Sequence, residues 1–188
     1  MYKLCKSEQS ARRQRELELG LLEAMQTQQY EDISISELCD RLAIPRKSFY
    51  RYFSNKDGAL MALLDHTLME YEQTENGISG TGIIHVGALE QYFRFWYERR
   101  PLLEALMRSR LSGMLVERAT QHAMHERMMP RYLVNQDPRT QQMALTFAIC
   151  GLLSMVMQWQ QSGYRETPEQ MAHVATMMLT KPLVFIKN

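Results

Sequence analysis

Apolar residues in this chain recur every three or four positions, and no useful stretch alternates apolar and polar residues at a period of two. The pattern predicts helices throughout. The first runs from about Ser10 to Gln28, with Leu17, Leu21, Ala24 and Met25 on one stripe. Tyr30 to Ile33 reads as a connector. Ser34 then opens a capping box with Glu37, in which each side chain can satisfy the other residue's free amide. That helix extends to about Leu42 and turns Ile35, Leu38, Cys39 and Leu42 inward. Ala43-Ile44-Pro45 is a turn, and Pro45 suits a helix start because its missing N–H would be unpaired there anyway. The next helix, about Arg46 to Phe53, buries Phe49 and Phe53, and Ser54-Asn55 separates it from a helix over Lys56 to Gln73.

Thr74 to Gly82 holds three of the chain's nine glycines and reads as a loop. Helices follow at about Ile84–Arg99, Pro101–Leu115 with a break near Gly113, Glu117–Met129 and Thr140–Gln161. Thr167-Pro168-Glu169-Gln170 opens the last with a second capping box and Pro at its first position, and that helix should reach about Leu179 before Pro182. The expected fold is all-α, with residues 1–55 as a small N-terminal domain and 56–188 as a larger helical domain entered through a connecting helix at 56–73.

Composition narrows the class. With 188 residues, 45% of them hydrophobic and 23% charged, the chain can bury a core. No unbroken run of about 18 apolar residues is present, so no membrane span is expected, and the first residues lack the apolar core of a secretion signal. Cys5, Cys39 and Cys150 are odd in number and far apart, which fits a reducing cytoplasm and no metal site. His122 and His125 share a helical face but have no evident third ligand.

Charge changes the picture most. The chain's net charge is only +1, yet Arg41 to Lys56 carries five Lys or Arg and no acid. Two short helices around a tight turn, the second basic and aromatic, form a helix-turn-helix, whose second helix enters the DNA major groove. Arg46, Lys47, Ser48, Tyr50, Arg51 and Tyr52 are expected to face outward. Arg46 and Lys47, at the N-terminal end, are placed to read base edges. Tyr50, Arg51 and Tyr52 can donate to phosphates, and Lys56 with the amides opening its helix offers a phosphate site. Lys3, Lys6, Arg12, Arg13 and Arg15, against only Glu8, add a basic arm.

The run Leu38-Cys39, Ala43-Ile44-Pro45, Phe49-Tyr50-Arg51-Tyr52-Phe53-Ser54-Asn55-Lys56 and Leu60 strongly resembles the signature of the TetR/AcrR family of transcriptional regulators. The resemblance implies that Arg46, Lys47, Ser48, Tyr50, Tyr52 and Lys56 stand at DNA-contacting positions, joined by Ser36 from the preceding helix. The chain departs from the family pattern in having Ala43 for the turn glycine, Pro45 for a Ser or Thr cap, and Lys47-Ser48 in the small threonine region.

The same resemblance implies a C-terminal domain that binds a small molecule and dimerises. On the residues themselves, Leu145, Ile149, Leu152, Val156 and Trp159 line one stripe of the penultimate helix, and Met171, Val174, Ala175, Met178 and Leu179 one stripe of the last. Two such helices from each of two chains make a four-helix bundle. The expected interface is Leu152, Val156, Trp159, Met171, Val174, Ala175 and Met178; the alternative is that both stripes pack within one chain. Phe93, Trp96, Tyr97, Leu103, Met107, Met114, Met124 and Met128 are candidates for an effector pocket, since methionine adapts to varied apolar molecules; the alternative for each is ordinary core.

The function that follows is a cytoplasmic homodimeric repressor, bound to double-stranded DNA with two-fold symmetry and released by a small, partly apolar effector. The alternative is the same fold acting as a protein-interaction module or coactivator. No nucleophile–base pair, phosphate loop or metalloprotease motif suggests an enzyme, and no cofactor is expected.

Overall fold

A computed structural model describes residues 2, 3, 5, 7–74, 86–125 and 133–180, and these are almost entirely helical. The helices are α1 Glu8–Thr27, α2 Ile35–Arg41, α3 Arg46–Tyr52, α4 Lys56–Glu72, α5 Val86–Glu98, α6 Arg100–Arg108, α7 Ser112–His125, α8 Pro138–Gln161 and α9 Pro168–Thr180, with a short 3₁₀ turn at Tyr30–Asp32. The fold is all-α. The expected loop, from residue 75 onward, and Met128 lie outside the described residues.

Helix ends follow local chemistry. Both predicted capping boxes form: Ser34 with Glu37, and Thr167 with Gln170, whose side chains each accept from the other's amide. Asp137 accepts from the amides of Arg139 and Thr140 at 3.1 Å each and moves the start of α8 ahead of the expected Thr140. The expected break near Gly113 lies earlier. Arg110 adopts a left-handed φ of 57°, and its flanking amides close a Schellman cap on the carbonyls of Leu106 and Met107. Gly113 therefore sits inside α7.

The chain forms two compact units: Met1–Met69 with Pro101–Ala119, and Glu70–Arg100 with Thr120–Asn188. The expected boundary at residues 55/56 divides the chain by role, whereas these units divide it by packing. In the first, Leu17, Leu21, Met25, Leu38, Phe49, Phe53, Leu60, Leu63 and Leu64 are almost completely buried. Gly20 lets α1 meet the end of α2: a Cβ there would lie 2.5 Å from Leu42 Cδ1. In the second, an aromatic cluster fills the core, with Trp159 stacked on Tyr97 at 5.5 Å and edge-on to Phe93 at 5.9 Å.

α8 holds no unbroken run of 18 apolar residues, but its average composition is apolar. It is long and apolar enough to cross a membrane by length and composition, and only 17% of its most apolar window is buried. Its polar residues are too few and too scattered to lower its average below that of a spanning helix.

Candidate nucleic-acid interface

α2 ends in a Schellman cap. The Ile44 amide donates to Cys39 O at 2.9 Å and the Ala43 amide to Asp40 O at 3.1 Å, with Ala43 in the left-handed region at φ 51°. The turn that glycine would adopt freely is thus made by alanine, at a cost of about 1 kcal/mol. Pro45 caps α3 without a side-chain bond, and its carbonyl accepts the Ser48 amide at 2.7 Å. Phe49 and Phe53 anchor the helix inward, their ring centroids 5.2 Å apart. That leaves Arg46, Lys47, Tyr50 and Arg51 exposed on a helix with no acid, and Ser48 half-buried.

Three expected contacts are placed differently. Tyr52 was expected to face outward, but it is only 6% exposed, because its ring packs with Phe53 in the core. Ser36 Oγ is buried and has no hydrogen-bond partner among the described residues. Lys56 turns back onto the protein. Its ammonium donates to the carbonyls of Tyr30, of Glu31 at 3.2 Å and of Ile33 at 2.7 Å, and lies 4.4 Å from the Tyr30 ring centre. It caps the 3₁₀ turn, and burial lowers its pKa. The Tyr30 hydroxyl donates to Asp57 Oδ1 at 2.7 Å, so Tyr30 ties the turn to the first residues of α4. Burial, then that bond, raises the Tyr30 pKa.

Of the basic arm, Arg13 pairs with Glu16 at 2.7 Å. Arg15 pairs at 3.0 Å with Glu18, which is fully buried and also takes His66 Nδ1 at 2.8 Å. Sequence reasoning missed Tyr30, Glu18 and Asp65. The available signal was position: Glu18 sits between inward-facing Leu17 and Leu21, and Asp65 follows Leu64, so each acid occupies a buried phase of its helix and needs a donor there.

In the second unit the expected interface residues separate. Val156, Trp159, Met171 and Ala175 are buried by their own chain; Trp159 Nε1 also donates to Glu166 O at 3.0 Å. These four are core, so the intrachain alternative holds for them. Leu152 is half-buried, while Val174 and Met178 are exposed. The exposed apolar face of α8 is the opposite one, with Met143 64% and Phe147 69% exposed, followed by Gly151 and Ser154.

The expected pocket residues also divide. Phe93, Trp96, Tyr97 and Met124 belong to the second unit, and Leu103, Met107 and Met114 to the first. Phe93 and Trp96 are packed core, the alternative reading for these candidates. Neither the Tyr92 hydroxyl nor Trp96 Nε1, both buried, has a well-formed hydrogen bond among the described residues. Burial holds the Tyr92 hydroxyl well above the usual phenol pKa. Met124 lines a cleft of about 550 Å³ with Ala123, Val134, Pro138, Gln141, Gln142 and Leu145. His122 Nε2 lies 3.0 Å from Glu72 Oε1. Among the described residues no three His, Cys, Asp or Glu side chains group as metal ligands.

An all-helical chain with a basic helix-turn-helix ahead of a larger helical unit defines a DNA-binding regulator. A family model for the C-terminal region of TetR-type transcriptional regulators matches residues 87–181, half of the chain. The chain belongs to the TetR family of transcriptional regulators. None of the curated proteins matches it. A TetR-family transcriptional regulator from Streptomyces coelicolor has a similar structure, with TM-score 0.57 and 22% identity over 90% of this chain and 81% of that one. So does the fatty acid degradation regulator FadR from Bacillus halodurans, with TM-score 0.64 and 12% identity over 94% and 97%. The dihydroxyacetone kinase operon activator DhaS aligns with TM-score 0.56 and 14% identity over 89% and 93%.

Proposed function

We propose that this regulator acts in the cytoplasm as a homodimer, represses transcription from a two-fold symmetric DNA site, and is released by a small, partly apolar effector. The observation that carries the reading is α3: Arg46, Lys47, Tyr50 and Arg51 exposed together, with no acid on the helix to offset them. Arg46 and Lys47 read bases, while Tyr50 and Arg51 hold phosphates. Ser48 and Ser36 are secondary contacts, and Tyr52 serves mainly as a prop behind the reading face.

One such helix reads too few base pairs for a specific site, so a second copy is needed. The exposed ridge of Met143, Phe147, Gly151 and Ser154 on α8, with Val174, Met178 and Leu179 on α9, supports a helical interface between copies. It also accounts for the exposed Met143 and Phe147 of α8. Gly151 has open space around it, which favours close approach by a partner helix.

The cleft beside Met124 has a volume ordinary for small-molecule sites. An effector there need couple to DNA binding by only about 1–3 kcal/mol to weaken it roughly 5- to 150-fold. Selection of bound duplexes from a random pool tests the reading. Inverted half-sites are expected, and Arg46→Ala should relax preference at one position of each. A selected site without two-fold symmetry, or no binding at low salt, would refute it.

A further inference from the structure

The segment ahead of α1 is fastened to the C-terminal end of the recognition helix. The Lys3 amide donates to the carbonyl of Tyr52, the last residue of α3, at 3.0 Å, and Tyr2 pairs with Phe53 in an isolated antiparallel bridge. The Tyr2 hydroxyl reaches α4 and donates to Asp65 Oδ2 at 2.7 Å. Asp65 is 3% exposed, and Arg118 of α7 grips it through Nε at 2.7 Å and Nη2 at 2.5 Å. All of these residues lie in the first compact unit.

We propose that Lys3 is a DNA-phosphate contact and that Tyr2 is the residue that positions it, by fastening this segment to the Asp65–Arg118 pair. The inference rests on α3 being the helix that meets DNA.

The buried Asp65 charge is already matched by the bidentate guanidinium, so Tyr2 is not needed to neutralise it. The backbone bond of the bridge and the phenol bond together offset the entropy lost in ordering Tyr2 and Lys3. The outcome is an exposed lysine held beside the end of α3 that carries Tyr50 and Arg51. No acid pairs with Lys3 among the described residues. A cation fixed there extends the phosphate-binding edge past the C-terminal end of the recognition helix, and an unfastened lysine would contribute less because its ordering would have to occur on binding.

The test compares wild type, Lys3→Ala, Tyr2→Phe and the double variant in the full chain, on the selected duplex, by anisotropy across a salt series. Lys3→Ala should reduce the slope of log Kobs against log[salt] by about 0.9. Tyr2→Phe should reduce it by part of that amount, and the double variant should match Lys3→Ala alone. A wild-type slope in Lys3→Ala, or additive losses in the double variant, would overturn the proposal. So would a Tyr2→Phe protein that melts earlier but keeps the wild-type slope, since Tyr2 would then be structural only. Failure of wild type to bind any duplex would remove the assignment of α3 to DNA, and this proposal with it.

Discussion

Replacing Lys56 with methionine separates two roles for one residue. Methionine keeps most of the stem and removes the ammonium. At stake are the bonds to the carbonyls of Tyr30, Glu31 and Ile33, together with the cation–π contact at 4.4 Å. The Glu31 bond is exposed and contributes little. The two part-buried bonds come from a charged donor, each worth about 1.5–3 kcal/mol where well shielded. Discounted for partial exposure, and with about 0.5 kcal/mol from the ring, the expected loss is about 2–4 kcal/mol. Urea unfolding followed by circular dichroism would show it as a lower midpoint at unchanged slope. A salt series on the selected duplex supplies the opposing reading, because a phosphate contact would take about 0.9 from the salt slope when removed. The structure predicts a lower midpoint and a salt slope close to wild type. An unchanged midpoint with a salt slope reduced by about one would refute it, and would return Lys56 to the DNA surface.

Gly20→Ala places a Cβ 2.5 Å from Leu42 Cδ1, and the resulting overpacking should cost about 1–3 kcal/mol in urea unfolding despite the better helix propensity of alanine. Phe147→Glu and Gly151→Arg should each convert the protein to a folded monomer in analytical ultracentrifugation, since Phe147 is exposed and a Cβ on Gly151 would meet nothing within 4 Å among the described residues; a dimer surviving both would place the interface elsewhere. Acid should loosen the starts of α2, α8 and α9. Hydrogen bonds from Ser34, Thr140 and Thr167 hold the Glu37, Asp137 and Glu169 carboxyls below their ordinary pKa values. Groups depressed on folding stabilise above their unfolded pKa and lose that contribution as pH falls through the folded one. Carboxyl titration followed by NMR should find all three ionising below unfolded-peptide values.

Much of the first unit was legible because its signals are local. The Ser34–Glu37 box, the Pro45 helix start and the Phe49–Phe53 pair each depend on neighbours within a turn, and each is present in the structure. The intrachain bonds of Lys56 were not legible because its partners are carbonyls more than twenty residues earlier, on a 3₁₀ turn with no periodic signature. Tyr52 was misread for a related reason. In a helix of only two turns the inward arc is set by what packs against it, and the core reaches one residue beyond Phe49 and Phe53. The pocket was the least legible part. Aromatic residues at helical spacing fit a cavity lining and a filled core equally well, and here Phe93 and Trp96 form the filled core.

α8 shows where such reading stops. Leu145, Val156 and Trp159 lie on one face, and Met143, Phe147, Gly151 and Ser154 on the opposite one. The helix carries apolar residues on both faces, so periodicity finds two stripes and cannot rank them. The deciding contacts come from elsewhere in the second unit. Tyr97 and Phe93 of α5 enclose the Trp159 ring, and the Glu166 carbonyl accepts its indole proton. Once the largest side chain on the helix is committed inward, the rotation of α8 is fixed and Phe147 must point out. An exposed phenylalanine one turn before an unobstructed glycine is costly in water and suited to a facing helix. The interface proposed for two copies therefore lies on the face of α8 opposite the stripe that periodicity suggests.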